Sequence, residues 1–137
     1  MASVPVPDII EEGLRRLSAR DLDSWLELFT EDARLHDLPE LPDSEVFEGH
    51  DGLRRWAQNN IELSERWNWR PVDCLAQRGG LVVTETALDA RGAKSDVSLN
   101  LVVFHAFRLE RGKIASVQAF STRDQAFEAA GLQDPDG

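Results

Sequence analysis

Asp37 and His105 are the two side chains whose type and setting suit proton chemistry. In Ala33-Arg-Leu-His-Asp37 the acid alternates with Leu35 on one side of a short stretch, against Arg34, His36 and Leu38 on the other. If Leu35 is buried, Asp37 points inward, where a carboxylate without a partner costs free energy and becomes a better proton acceptor. A plainer role stays open: beside Leu38-Pro39 the acid ends its strand and meets water at the rim. His105 interrupts an apolar row of Val97, Leu99, Leu101, Val103 and Phe107 at every second position. A histidine in such a row is either a hydrogen-bonded core residue or a donor set into a cavity, as neutral imidazole or as imidazolium. Together the two suit proton transfer beside a carbonyl, which needs a base at the C–H and a donor at the enolate oxygen. Bonded to each other they would instead form an acid–base couple of dehydratase type.

Trp56, Trp25, Trp67 and Trp69 add flat apolar area suited to fused rings or polyenes. Tryptophan on an amphipathic helix also packs cores, and Trp67 and Trp69 suit a sheet rim or subunit interface. Glu85, Asp89 and Asn100 interrupt strand-like runs, and alternation alone leaves their faces open. No metal site is expected, since His36 and Asp37 lie on opposite sides of one strand and His50 falls in a turn. Gly79-Gly80 is a turn rather than a phosphate cradle, because no Lys-Ser pair or helix start follows.

Periodicity supplies the elements that position these residues. Asp8 and Glu11 have capping-box spacing ahead of Ile10, Leu14 and Leu17, which share a helical face that Gly13 weakens. Asp21 caps a second helix with Leu22, Trp25, Leu28 and Phe29 on one stripe. Residues 33–38 form a short strand. The acidic segment Pro39 to Glu48 reads as an exposed loop and a candidate flap. A third helix turns Leu53, Trp56, Ala57, Asn60 and Ile61 inward. From Trp67 the period becomes two, in runs of roughly 67–77, 80–89, 96–109 and 113–121 divided by Gly79-Gly80, Arg91-Gly92 and Arg111-Gly112: an antiparallel meander curled by twist and bulges. Thr122 with Gln125 caps a last helix carrying Ala126, Phe127 and Ala130 inward, and Gly131 stops it.

Composition narrows the partners. The 137 residues suit one domain, with loose ends at about 1–7 and 132–137. A net charge of −10, with only the doublets Arg15-Arg16 and Arg54-Arg55 among acids, argues against nucleic acid and anionic membrane. The single Cys74 excludes an internal disulfide and fits a reducing cytoplasm. The first seven residues lack the basic and apolar regions of a signal peptide, and no run is long enough to span a bilayer.

The stretch Phe29-Thr-Glu-Asp-Ala-Arg-Leu-His-Asp37, followed by Phe47-Glu-Gly-His-Asp-Gly-Leu-Arg-Arg-Trp56, resembles the first half of the NTF2-like superfamily, and within it the SnoaL-like polyketide cyclases and ketosteroid isomerases. The order of elements fits from about Asp8 to Gly131. This resemblance implies an α+β cone, with N-terminal helices packed in a strongly curved, mixed, mostly antiparallel sheet, and a homodimer through the outer face of the meander. By the same resemblance Asp37 corresponds to the general base. His105, counted back from Phe107-Arg-Leu-Glu-Arg-Gly112, stands where isomerases keep a protonated aspartate that donates to the enolate. Trp56 corresponds to a pocket-lining aromatic, and Trp25, Phe29, Leu17 and Val103 complete the implied substrate wall.

Two departures matter. The chain contains no Tyr, so the phenolic oxyanion donor of the isomerases is missing: its place is near Gly13, and Phe29 stands where a supporting tyrosine would. Thr84-Glu-Thr-Ala-Leu88 also lacks the Arg-x-Asp strand motif of limonene-epoxide hydrolases. The implied function is a cofactor-free isomerase, cyclase or dehydratase acting on an apolar cyclic or polyketide-like carbonyl compound. The alternative is a non-catalytic ligand-binding or interaction module on the same scaffold.

Overall fold

A computed structural model describes residues 6–41, 45–95 and 97–135. Helix α1 spans Asp8–Ser18 and buries Ile10, Leu14 and Leu17, as their spacing predicts. The expected capping box is not how it begins. Pro7 occupies the N-cap without a side-chain hydrogen bond, and Asp8 lies inside the first turn, where its charge meets the positive end of the helix dipole. Arg20 adopts a left-handed φ of 63°, turning the chain toward α2, and its guanidinium donates to the backbone oxygens of Ser64 and Glu65.

Helix α2, Leu22–Leu26, is capped by the Asp21 carboxylate, which accepts from the Ser24 N–H. It ends before Phe29, which belongs to strand β1, Phe29–His36, and not to the expected helical stripe. Both periods place an apolar residue at that position, so the sequence could not separate them. A short strand β2, Val46–Glu48, pairs antiparallel with β1 inside what the sequence presents as loop. Leu41 is exposed at the end of the described part of that loop, and residues 42–44 of the expected flap lie outside the described residues.

Helix α3, Gly49–Leu63, buries Leu53, Trp56 and Ala57 and leaves Asn60 and Ile61 half-buried. The meander follows as β3 (Ser64–Arg78), β4 (Leu81–Gly92), β5 (Ser98–Glu110) and β6 (Lys113–Phe120). The sheet order is β2-β1-β6-β5-β4-β3, with β1 parallel to β6 and every other pair antiparallel. The Arg111-Gly112 turn has positive φ at both residues, the geometry that a two-residue hairpin matched to strand twist requires. Gly80 is needed for another reason: a Cβ there would stand 2.3 Å from the Leu109 carbonyl oxygen.

Because β3 is an edge strand, its outer backbone groups need partners from elsewhere. Ser18 supplies one pair. Its hydroxyl accepts from the Trp69 N–H at 2.8 Å and donates to the Trp69 carbonyl at 3.2 Å, clipping the end of α1 to the strand. Register shifts interrupt β3 near Arg66, Pro71 and Cys74. A proline is tolerated there, at an edge and a bulge.

The sheet has two packed faces. Val82, Phe107 and Val117 join α1, α2 and α3 in the larger core, whereas the adjacent residues Val83 and Ala106 meet Ala126, Phe127 and Ala130 of α4 (Arg123–Ala130). The inward face of α4 therefore covers part of the sheet's outer surface. Its start is as expected, with Thr122 accepting from the Gln125 N–H, and Gly131 ends it in the left-handed conformation. Beyond it, Leu132 packs on the α4 cluster and the Arg123 guanidinium donates to both oxygens of Asp134. Val6 likewise packs on the main core. Of the expected loose ends, residues 1–5 and 136–137 lie outside the described residues. No described helix is long and apolar enough to cross a membrane.

Gly13 lies mid-helix with room to spare, since an added Cβ would meet Leu28 Cδ1 at 3.7 Å and Ile114 Cδ1 at 4.0 Å, ordinary contact distances. Gly13→Ala is expected to stabilise the protein by about 0.5–1 kcal/mol through the lower entropy cost of ordering the helix. Urea unfolding checks this, and a loss of stability would mean the α1–β6 packing has less space than described.

Candidate active site

Strand β1 delivers Asp37 one residue beyond its last paired position, His36, so strict alternation has already lapsed. The carboxylate is half-buried and has partners. Its Oδ1 accepts from the Leu38 N–H at 2.8 Å, and its Oδ2 accepts from the Trp56 indole N–H at 2.7 Å. The expectation of an unpartnered acid is thus corrected: α3 carries the donor, and that contact fixes where the carboxylate points. Each carboxylate oxygen can accept twice, so acceptor capacity remains on both.

Asp37 helps line a cavity of about 310 Å³ between the three N-terminal helices and the sheet. That is near the lower end of ordinary small-molecule sites. All seven residues singled out from the sequence, Asp37, His105, Trp56, Trp25, Phe29, Leu17 and Val103, contribute to its lining. So do Trp67 and Trp69, for which the sequence left open a sheet rim or subunit interface as well as a ligand-facing wall. Their alternation with Asn68 was a usable signal, since Trp67 and Trp69 must share a face. His36 also lines the cavity although alternation sets it opposite Asp37; the end of the strand at His36 explains why the rule fails there.

The aromatic residues are in continuous contact. Phe29 meets Trp25 edge-on at 4.9 Å between centroids, Trp25 lies 6.1 Å from Trp56, Trp56 5.3 Å from Trp67, and Trp67 5.8 Å from Trp69. Trp69 then stands 5.7 Å from His105, and His105 5.6 Å from Phe107. Interplanar angles between 31° and 78° turn successive rings different ways, so the wall presents both faces and edges.

His105 is buried in β5, and its Nδ1 lies 3.2 Å from the Thr86 hydroxyl on β4, where Thr86 pairs with Val103 on the same face. Its described hydrogen bond is thus to Thr86 and not to Asp37, which corrects the directly bonded couple. Burial pushes the imidazole down to about 4. His36 is also lowered, by its own burial first and then by Arg34. His105 is therefore neutral at pH 7, and the imidazolium allowed by sequence is not its resting form. The unfolded chain, with histidine near its ordinary 6.5, binds a proton that the folded chain refuses. Stability from this burial is complete above about pH 6.5 and is lost progressively as pH falls toward 4. Between pH 7 and pH 5 the native protein should lose roughly 2 kcal/mol more than His105→Gln, measured by urea unfolding. Equal losses would show that His105 does not resist protonation.

A model of the SnoaL-like domain matches residues 10–117. None of the curated protein sequences matches this chain. Among solved structures, a Catenulispora acidiphila protein with a ketosteroid isomerase-like fold, in complex with trimethylamine, is 14% identical at TM-score 0.77, covering 94% of this chain and 96% of its own. A Mycobacterium tuberculosis protein in complex with estradiol-17β-hemisuccinate is also 14% identical at TM-score 0.72, covering 85% of this chain and 92% of its own. SalBIII, an epoxide hydrolase/cyclase-like enzyme with a role in pyran ring formation in the polyether salinomycin, is 22% identical at TM-score 0.70, covering 85% and 90%. At these identities the likeness establishes the NTF2-like α+β fold, and with the domain match over most of its length the chain belongs to the SnoaL-like family.

Proposed function

We propose that this SnoaL-like protein is a cofactor-free enzyme that moves a proton on an apolar, cyclic or polyketide-like carbonyl compound, with Asp37 as the base. The observation that carries this reading is a carboxylate set in a largely apolar wall, oriented by the Trp56 N–H and still able to accept. Asp37 takes a proton from the carbon alpha to the carbonyl. The C–H electron pair becomes the new C=C bond while the carbonyl π pair moves onto oxygen. Returning the proton from Asp37 to another carbon completes an isomerisation; attack of the enolate carbon on a second carbonyl closes a ring, the new alkoxide taking the proton held by Asp37; and loss of a β-hydroxyl that takes this proton and leaves as water is a dehydration.

In this reading His105 is a neutral donor to the enolate oxygen. If the Thr86 hydroxyl donates to Nδ1, the ring proton stays on Nε2. A neutral imidazole stabilises an oxyanion less than a cation would, and there is no tyrosine to strengthen it. That balance favours substrates whose C–H is already acidic, such as a carbon between two carbonyls. The fold alone does not choose the chemistry. The relatives' ligands, a small amine in one and a steroid derivative in another, support a small-molecule site. Homodimerisation belongs to the same reading, with Val102, exposed on the face of β5 away from the cavity, in the contact.

One observation favours a second reading. Both oxygens of Asp37 already accept a hydrogen bond, as they would in a binding module that only orients its ligand. Deuterium exchange at the α-carbons of cyclic ketones and 1,3-diketones in D2O, followed by NMR, separates the two. The native protein should accelerate exchange, and Asp37→Asn should lower the rate by about a hundredfold or more while phenolate, an enolate mimic, still binds. Exchange that survives Asp37→Asn would remove Asp37 as the base. Binding of a cyclic ketone with no exchange by the native protein would leave the binding module. Trp56→Phe keeps an aromatic ring but removes the donor, so it should lower kcat about tenfold with little change in KM. A change in KM alone would make Trp56 a wall residue only.

A further inference from the structure

The charge character of the cavity wall points to a class of ligand independent of any turnover. Asp37 is the one carboxyl group in the described lining, and no Lys or Arg contributes to it. The two lining histidines are both biased toward the neutral form by burial. Six rings, Phe29, Trp25, Trp56, Trp67, Trp69 and Phe107, line the same cavity as the carboxylate, Trp56 meeting it through the indole N–H, and successive planes in the row turn different ways. Indole faces are the strongest natural partners for an organic cation, and a site shielded from water strengthens the attraction. An anion entering the same space would meet a carboxylate and no countercharge.

We infer that this cavity is a binding site for apolar organic ammonium compounds, the cationic nitrogen held at the Asp37 carboxylate within the aromatic wall. Asp37 can take this role without losing its contacts to Trp56 and Leu38, because one acceptor position on each oxygen remains. The apolar body of the ligand fills the remainder of the cavity, whose lining includes Leu14, Leu17 and Val103. The proposal extends beyond proton transfer: an ammonium compound held at Asp37 occupies the proposed base and would compete with a carbonyl substrate.

The test uses three probes of similar shape on the native full chain: phenyltrimethylammonium, its uncharged isostere tert-butylbenzene, and the anion benzoate. Affinity is read from tryptophan fluorescence, and location from the indole N–H resonances of the four tryptophans. Measurement at about 0.15 M salt, where the Debye length is about 8 Å, mutes the general pull of a chain of net charge −10. The cation should bind about tenfold or more tighter than the isostere and shift the indole resonances, and benzoate should bind no better than the isostere. Asp37→Asn should reduce the preference for the cation several-fold. Equal binding of cation and isostere by the native protein overturns the proposal, as does tighter binding of benzoate. A preference unchanged in Asp37→Asn overturns the part given to the carboxylate. No arm requires turnover, so failure here leaves the exchange experiment untouched, and failure of exchange leaves this result standing.

Discussion

The hydrogen bond from the Trp56 indole to Asp37 Oδ2 is the contact on which the site depends. It joins the middle of α3 to the end of β1, two elements whose starts are also linked, by His50 Nε2 at 3.1 Å from the Phe29 carbonyl oxygen. An apolar contact tolerates sliding and rotation, whereas a charge-assisted hydrogen bond has a distance and a direction. The same indole touches Trp25 on one side and Trp67 on the other, so fixing it also fixes the centre of the aromatic row. Further along the row Trp69 is held separately, by the Ser18 hydroxyl on both of its backbone groups, and His105 by the Thr86 hydroxyl. The wall is therefore anchored at several points along its length by polar contacts, with hydrophobic burial filling the intervals.

Much of this was legible in the sequence because burial leaves a period. Ile10, Leu14 and Leu17 at helical spacing and Thr122 with Gln125 ahead of the last helix reappear as a buried face and a cap, whereas of the row from Val97 to Phe107 only Val103, His105 and Phe107 are buried and Val97, Leu99 and Leu101 are exposed. Period fails where an element is too short to show one, or where two periods coincide. Phe29 fits a helix stripe and a strand start equally, and β2 is only three residues long. Period also reports which residues share a side, not what lies opposite. The inward residues of α4 were readable, yet that they cover the sheet's other face follows only from the placement of Val83 and Ala106 beside them.

The site was legible in a different way. The residue types of Asp37 and His105 drew attention because polar groups interrupt apolar rows, and both line the cavity. Their partners were not legible, since Trp56 and Thr86 look like ordinary members of their own elements. An indole N–H and a threonine hydroxyl leave no mark in a hydropathy pattern, and sequence separations of 19 residues to each partner carry no regularity. The resemblance to isomerases could not supply these contacts either, because the tyrosine that organises an isomerase site is absent from this chain.

That absence shapes the chemistry that remains. A site that stabilises an anion strongly needs a cation or a well-placed phenol in its wall, and the described lining has neither. What it has is a carboxylate and π faces, which meet positive charge better than negative, and imidazoles that burial biases toward the neutral form. Burial does so because removing water penalises imidazolium more than imidazole. The arrangement suits a reaction in which the base is the stronger half and the oxyanion donor the weaker. It equally suits the capture of a cation that needs no reaction, so the proposed base and the proposed binding site rest on one constraint: a carboxyl group placed in an aromatic cavity without Lys or Arg in its described lining.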